Sequence, residues 1–169
     1  MRVHNHRRFC IDWVLVDELA IGPAPRAERH LQRLHDAGIK CILSLCSNTE
    51  AHAAEGLEAN LAEQFTCRRL VLPDHKAGRM PNPAELVAAL DLLAEVKQQG
   101  PVFVHCVAAM ERSPLVCMAW LIREHGLKPE RALDYLMQVH PGTSPLPGQI
   151  GLLNHPDLAP NAPQSAQAL

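Results

Sequence analysis

Short apolar runs alternate with longer stretches of helical spacing along most of the chain. The runs IKCILSLC (39–46) and PVFVH (101–105) are continuous and β-prone, so we predict two buried strands. The segment CIDWVLV (10–16) followed by LAIG (19–22) predicts a short antiparallel hairpin, and CRRLVLP (67–73) predicts one further strand. The chain therefore has the strand content of a small central sheet.

Helical patterns fill the intervals between these strands. One predicted helix ends at Gly38, and another begins after Asn82, where Pro83 and Glu85 complete an N-terminal capping pattern. This alternation predicts a single α/β domain with a central, mainly parallel sheet flanked by helices. The helices are predicted over residues 26–38, 50–64, 82–99, 114–126, 129–140 and 147–154.

Chain length and the composition of the C-terminal end bound the domain. A chain of 169 residues fills one domain well and is short for two. Beyond residue 153 the sequence HPDLAPNAPQSAQAL is small, Pro-rich and nearly uncharged. We therefore predict a domain over residues 1–153 and a flexible Pro/Ala-rich tail over residues 154–169.

Composition and charge exclude several classes of partner. Apolar residues make up 47% of the chain and charged residues 20%, which is typical of a globular protein. The net charge of -2 gives no electrostatic reason to expect nucleic acid or a membrane surface as partner. Because neither an export signal nor an apolar run of membrane-spanning length is found, we expect six free cysteine thiols and a cytoplasmic location.

The chemistry of the chain is concentrated in VFVHCVAAMERSP, residues 102–114. Cys106 follows a predicted buried strand, and Ser113 with Pro114 predicts the cap and first turn of the next helix. Backbone N–H groups at such a junction converge on an anion, and the helix dipole favours the thiolate form of a cysteine. Since Arg112 adds a planar fork that matches two phosphate oxygens, the segment predicts a phosphoryl-transfer site.

The segment from His105 to Ser113 resembles the signature His-Cys-x-x-Gly-x-x-Arg-Ser/Thr of the protein tyrosine phosphatase superfamily. The Cys-to-Arg spacing is shared with low-molecular-weight tyrosine phosphatases, arsenate reductases and rhodanese-type folds. Two further features are similar to the small dual-specificity branch: Asp74 in LPDH, on a loop well before Cys106, and the opening DWVLVDELAIGPAP. The resemblance implies the cysteine-phosphatase, dual-specificity-phosphatase-like fold over most of residues 10–153.

The resemblance also implies a role for each residue of the motif. Cys106 would attack phosphorus to form a cysteinyl-phosphate, while Arg112 stabilises the equatorial oxygens. Asp74 would protonate the leaving oxygen and then activate water. Ser113 would hydrogen-bond the sulfur as it leaves, and His105 would orient the loop from behind. No metal and no cofactor is expected.

The loop departs from the family pattern at two positions. Ala109 stands where the family has glycine, so the loop is expected to be strained or slightly reshaped. Glu111 places a carboxylate beside a bound dianion, and we expect its side chain to turn outward with activity retained. A pseudophosphatase that binds phosphorylated partners without turnover is the alternative. The predicted substrate-binding residues are Val107, Ala108, Ala109, Met110 and Glu111.

The substrate class is the least readable property. The loop interior contains no lysine, whereas the loops of phosphoinositide-directed relatives are basic, so we favour a phosphorylated protein over a phosphoinositide. No aromatic phosphotyrosine-recognition segment of the large tyrosine-specific enzymes is found, which favours a shallow pocket for phosphotyrosine and also phosphoserine or phosphothreonine. The basic residues that could line the rim are Arg68, Arg69, Lys76 and Arg79.

Two further residues are candidates through the resemblance alone. Cys46 ends the strand predicted to lie beside PVFVH, and a cysteine at the matching strand end of phosphatase-and-tensin-type enzymes pairs with the catalytic thiol. We therefore hypothesise a reversible disulfide between Cys46 and Cys106, against the alternative of a buried structural thiol. Gln149 lies where related phosphatases carry a polar residue that places water, although a surface glutamine is the alternative.

Overall fold

The computed structural model describes residues 8–161, and its centre is one five-stranded sheet in the order β1-β2-β5-β3-β4. The first two strands form the predicted antiparallel hairpin, and all other neighbours are parallel. The predicted single-domain α/β architecture is confirmed. The strands are β1 (Asp12–Leu15), β2 (Leu19–Gly22), β3 (Cys41–Ser44), β4 (Thr66–Arg69) and β5 (Val102–His105).

Helices cover both faces of the sheet. They are α1 (Glu28–Asp36), α2 (Asn48–Ala51), α3 (Leu57–Gln64), α4 (Pro83–Lys97), α5 (Arg112–His125), α6 (Pro129–Val139) and α7 (Pro147–Leu152). Two short 3-10 helices lie at His75–Ala77 and Pro156–Leu158. Among the described residues, no helix has both the length and the apolar character needed to cross a bilayer.

The central strand β5 explains why the sheet is buried on both faces. All four of its residues are buried, and its side chains alternate between two apolar clusters as strand geometry requires. Val102 and Val104 pack in the cluster that contains α4, α5 and α6, whereas Phe103 packs in the cluster that contains α1 and α3. This burial fixes the end of β5, and with it the start of the 106–112 loop.

The predicted helix over 50–64 is wrong as a single element. The chain forms α2 and α3 instead, and the backbone between them turns left-handed at His52 (φ 49°) and Gly56 (φ 76°). A full capping box between Ser47 and Glu50 starts α2 earlier than expected. This early start matters for the site because it fixes the side chain of Glu50.

The packed structure extends beyond residue 153, where the sequence predicts that a flexible tail begins. The 3-10 helix Pro156–Leu158 contacts α4 and α5, and Leu158 is fully buried. The backbone N–H of Asn161 donates to the carbonyl of Arg123. Residues 156–161 thus pack against the domain, and residues 162–169 of the predicted tail lie outside the described residues.

Candidate active site

The 106–112 loop connects β5 to α5 at the carboxyl edge of the parallel strands. In the register of the sheet, His105 at the end of β5 lies beside Ser44 at the end of β3. The loop forms one wall of a cleft of about 1250 Å³, whose lining also includes Asp74 and Glu50. The structure therefore brings the predicted cysteine, arginine and aspartate to one place, at the edge where ligands bind in such sheets.

Cys106 and Ser113 are in direct contact. Both side chains are buried, and the sulfur of Cys106 lies 3.2 Å from the hydroxyl oxygen of Ser113. The prediction that Ser113 caps the helix is wrong, because α5 begins at Arg112 and Ser113 is its second residue. The hydroxyl therefore faces the sulfur rather than a backbone N–H of the first helical turn.

The backbone of the loop is oriented by donors that lie outside it. The carbonyl of Val107 accepts from the N–H of Ala24, and that of Met110 accepts from the N–H of Ser144. The carbonyl of Ala109 accepts from the His140 ring, at 2.7 Å. In a trans peptide the next N–H points the opposite way, so the N–H groups of residues 108, 110 and 111 turn away from these donors. This is the orientation of an anion cradle.

His105 supports the loop from the buried side. Its Nδ1 lies 3.0 Å from the carbonyl oxygen of Cys106, which only accepts, so Nδ1 carries the hydrogen. Nε2 lies 2.8 Å from the Ser44 hydroxyl, which donates to it. Burial lowers the pKa of His105 to about 4, opposed by the hydrogen bond to the Cys106 carbonyl. The ring is therefore neutral at physiological pH and holds a single tautomer.

Arg112 is buried and anchored at the floor of the cleft. Its guanidinium donates to the carbonyl of Leu72 at 3.0 Å and to the carboxylate of Glu50 at 3.1 Å. Burial opposes ionisation of Glu50, but hydrogen bonds from Ser47 and the charge of Arg112 hold its pKa below the ordinary value. These contacts hold Arg112 in a defined position before any substrate binds.

Asp74 lines the same cleft as Cys106. Its Oδ1 accepts from the N–H of Lys76, and its Oδ2 lies 3.8 Å from the guanidinium of Arg112. The first bond fixes the turn into the 3-10 helix, so the carboxyl group is positioned by its own loop. The loop thereby places a carboxyl oxygen above the arginine, where a leaving group could receive a proton.

Ala109 has a left-handed backbone conformation, at the position where the family pattern has glycine. Its φ is 56°, in the left-handed region, and its side chain is fully buried. The expected strain is therefore present in this loop. A left-handed alanine costs about 1 kcal/mol or more relative to glycine.

The side chain of Glu111 does not turn outward, and the expectation from the sequence is wrong. Its Oε2 lies 2.5 Å from Nδ1 of His75, the residue after Asp74, and its side chain is only 16% exposed. The other oxygen, Oε1, is buried without a hydrogen-bond partner among the described residues. The carboxylate stays in the wall of the cleft because the histidine of the facing loop binds it there.

The remaining two candidates have different surroundings. Cys46 is buried at the end of β3, and its sulfur lies 3.9 Å from Nδ1 of His105, which borders Cys106. Burial, with Cys106 adding to it, raises the pKa of Cys46 to about 11. Gln149 is buried, and its Oε1 accepts from the backbone N–H of Leu146 as part of the cap of α7. It is not a residue that lines the cleft.

Three residues at the site were not predicted from the sequence: Glu50, His75 and His140. Glu50 could have been found, since Ser47 and Glu50 have the spacing of a capping box. His75 and His140 carry no motif, and only the fold brings them to the loop. Of the described residues, one group of side chains could hold a metal ion: Cys10, Asp12 and His140, behind the loop rather than in the cleft.

Residues 20–156 match the family described as the dual specificity phosphatase catalytic domain. The chain is 34% identical to dual specificity protein phosphatase 1-A of Xenopus laevis over 89% of its own length and 38% of the relative's. It is 29% identical to dual specificity protein phosphatase 2 of Mus musculus over 64% of its length and 31% of the relative's. The chain thus spans less than two-fifths of these curated relatives.

Solved structures show the same fold. The crystal structure of Tk-PTP in the active form superposes with a TM-score of 0.71 at 22% identity, over 85% of this chain and 92% of that one. The human tyrosine phosphatase-like serine/threonine/tyrosine-interacting protein gives a TM-score of 0.68 at 22% identity, over 85% and 92%. PTPMT1 in complex with PI(5)P gives 0.67 at 21% identity, over 80% and 87%.

Proposed function

This chain belongs to the dual-specificity phosphatase family, a cysteine-based class of phosphatases, and we propose that it hydrolyses phosphotyrosine and also phosphoserine or phosphothreonine in proteins. The observation that carries the proposal is the arrangement of Cys106, Arg112 and Asp74 around one cleft. The nucleophile lies at a helix N-terminus, the cation is anchored beside it, and the carboxyl group faces both. These are the parts that phosphoryl transfer through a covalent intermediate needs.

In the first step, the sulfur of Cys106 attacks phosphorus and the ester oxygen leaves. The inward N–H groups of the loop and the guanidinium of Arg112 stabilise negative charge on the three equatorial oxygens. Asp74 donates its proton to the leaving oxygen, which avoids expulsion of an alkoxide or phenoxide.

In the second step, water displaces the sulfur from phosphorus. Asp74, now a carboxylate, accepts a proton from the attacking water. The hydroxyl of Ser113, at 3.2 Å from the sulfur, donates a hydrogen bond to the departing thiolate of Cys106. The same contact is available in the resting state, so no rearrangement of α5 is required.

The charges at the rim favour a phosphoprotein over a phosphoinositide. Arg68 pairs with Glu95, and Arg79 pairs with Glu85. Arg69 donates to the carbonyl of Cys46 and to Glu58. Three of the four candidate rim cations are thus engaged within the protein. Lys76 does line the cleft, where Arg26 adds a second cation and Glu50, Asp74 and Glu111 add carboxylates. The cleft thus has mixed charge, whereas a polyanionic inositol head group favours a uniformly basic one.

A second candidate function is binding of phosphorylated partners without turnover. The observation that favours it is Glu111, whose carboxylate remains in the wall of the cleft beside Arg112. At roughly 8 Å and an effective dielectric near 20, a carboxylate repels each phosphate charge by about 2 kcal/mol. The hydrogen bond that Glu111 accepts from His75 offsets part of this repulsion, so the favoured proposal stays hydrolysis.

We also propose a protective disulfide between Cys46 and Cys106, in a cytoplasmic protein whose domain spans most of the described chain. Both thiols are buried around His105, and none of the described cysteines forms a disulfide. Oxidation of Cys106 to a sulfenic acid would let the thiol of Cys46 condense with it and release water. A peroxide-treated sample should then contain this disulfide, and Cys46→Ser should lose recovery of activity after thiol reduction.

The test of hydrolysis is turnover of an aryl phosphate, followed by a panel of phosphotyrosine and phosphothreonine peptides and phosphoinositides. The wild type should release phosphate, and Cys106→Ser should release none. Cys67→Ser is the matched control because Cys67 is exposed and lies on β4, and it should keep full activity. Absence of turnover in a wild type that still binds phosphate would favour the binding function instead.

A further inference from the structure

The inference concerns His140, a fully buried residue at the end of α6 that the mechanism does not use. Its ring bridges two distant parts of the chain. Nε2 lies 2.7 Å from the carbonyl oxygen of Ala109 in the loop, and Nδ1 lies 2.6 Å from Oδ2 of Asp12 on β1. Both distances are those of strong hydrogen bonds.

The two partners decide where the hydrogens of the ring must be. A carbonyl oxygen only accepts, so Nε2 of His140 donates to Ala109. An ionised carboxylate also only accepts, so Nδ1 donates to Asp12. Both bonds form together when each ring nitrogen has a hydrogen, the one at Nδ1 lying between His140 and Asp12. The thiol of Cys10 lies 3.6 Å from the same carboxylate oxygen and can donate to it as well.

The bond to Ala109 falls on the strained residue of the loop. Ala109 has a φ of 56°, where alanine is less stable than glycine. A buried carbonyl that loses its donor is destabilised, so the bond from His140 stabilises Ala109 in this conformation. Because it holds the carbonyl of Ala109 away from the cleft, it also directs the following N–H, that of Met110, towards the cleft side.

We propose that His140 is a positioning residue that keeps Ala109 left-handed and the loop ready for a phosphate dianion, with Asp12 orienting its ring. The inference rests on the proposed function, since it explains how a loop with alanine in place of glycine stays an anion cradle. His140 touches no substrate and acts through the carbonyl of Ala109. Replacing Ala109 with glycine should therefore make His140 less necessary.

The test is a double-mutant cycle between His140→Leu and Ala109→Gly, made in the Cys106→Ser background. The readout is the dissociation constant of inorganic phosphate from calorimetry, which requires no turnover. We expect His140→Leu to weaken phosphate binding about ten- to a hundredfold, because the buried carbonyl of Ala109 would be left without a donor. Ala109→Gly alone should change binding less than about threefold, and it should restore most of the loss in the double variant.

An additive cycle, in which the double variant binds phosphate as poorly as His140→Leu, would overturn the proposal. If Cys106→Ser binds no phosphate at all, the proposed function fails instead, and the two failures are thus distinguishable. Should His140→Leu not fold, as seen by circular dichroism, Asp12→Asn replaces it. That variant keeps His140 and removes the charge of its partner, and its loss should also be restored by Ala109→Gly.

A bound metal ion is the competing explanation for the short distance between Nδ1 of His140 and Oδ2 of Asp12. The ligand atoms of Cys10, Asp12 and His140 lie within 4.8 Å of one another. A separation of 2.6 Å between Nδ1 and Oδ2 fits a shared hydrogen and is short for two ligands of one zinc ion, each about 2.0–2.2 Å from the metal. Zinc in the purified protein, lost in Cys10→Ser, would overturn the proposal; a zinc-free protein with an unchanged melting temperature in added zinc would support it.

Discussion

The 106–112 loop has a buried side and a cleft side, and different interactions hold the two. We call the buried side, at Ser44, His105 and His140, the rear of the loop. We call the cleft side, at Asp74, His75 and Glu111, its rim. At the rear, Ser44, His105 and His140 are buried, and their ring nitrogens and hydroxyl are matched with partners of the opposite kind. At the rim, Glu111 keeps one buried oxygen without a partner among the described residues, and its other oxygen binds the half-exposed His75. The rear is fixed by complementary hydrogen bonds, whereas the rim is held by charges that solvent and substrate can change.

This difference indicates which variants should change which property. A buried network that is fully satisfied sets stability and the shape of the cradle, and disturbing it leaves a polar group without a partner. A charged rim sets the response to the dianion and to the leaving group. Changes at the rim should therefore alter rates with little effect on folding, and changes at the rear should alter both.

The largest effect on the rim is expected for Asp74→Asn. Asparagine keeps the size and the turn but has no proton to donate, so kcat for a phenyl phosphate should fall about 10²- to 10⁴-fold. The loss should shrink for an aryl phosphate whose leaving group needs no protonation. Steady-state kinetics across leaving groups checks this, with a thermal melt to show that the fold is retained. Equal losses for all leaving groups would argue against a proton donor.

At the rear, His105 should make stability depend on pH. Its pKa of about 4 in the folded protein lies below the ordinary value of 6.5, because burial disfavours the charged ring. Between these values the unfolded chain binds the proton and the folded protein does not. The free energy of unfolding should thus fall by about 3 kcal/mol as the pH drops from 6.5 to 4.

The matched variant is His105→Gln, which keeps polar atoms but does not titrate. Urea unfolding at a series of pH values should give the wild type the steeper decline, by about the amount above. Other groups contribute to both curves and cancel in the difference. Two parallel curves would mean that His105 has the same proton affinity in the folded and the unfolded state.

The smallest effect is expected for Glu111→Gln at the rim. Removing one carboxylate near the phosphate should lower KM for an aryl phosphate, but His75 already offsets part of its charge. The repulsion of about 2 kcal/mol per phosphate charge is an upper limit, because water in the open cleft screens it, so KM should fall by no more than about tenfold. Glu95→Gln is the control, since Glu95 pairs with Arg68 and does not line the cleft. A rise in KM would show that Glu111 assists binding.

The fold and the motif residues could be predicted from the sequence, whereas several side-chain contacts of the site could not. The mainly parallel α/β architecture could be anticipated because β-branched runs and glycine-ended helices alternate. Cys106, Arg112 and Asp74 could be anticipated because their spacing resembles that of a known family. The strain at Ala109 followed from its missing glycine. The contacts of His140 with Asp12 and of Glu111 with His75 could not be predicted, because each joins segments far apart in the chain through side-chain rotamers that no local pattern encodes.

Two departures from the predicted elements have local causes. Helix α5 begins at Arg112, two residues earlier than predicted, and the side chain of Ser113 contacts the sulfur of Cys106. The helix expected over 50–64 breaks at the left-handed His52 and Gly56, where the apolar periodicity gave no warning. Both departures lie next to the cleft, where side-chain contacts outweigh intrinsic helix propensity.

The most direct test of the account is detection of a phosphoryl group on Cys106. Asp74→Asn mixed with an aryl phosphate that has a good leaving group should form the intermediate faster than water removes it. Rapid quenching in denaturant near neutral pH, followed by peptide mass spectrometry, should find one phosphoryl group on the peptide that contains Cys106 and none in Cys106→Ser. Turnover by the wild type without that modification, or turnover that survives Cys106→Ser, would contradict the account.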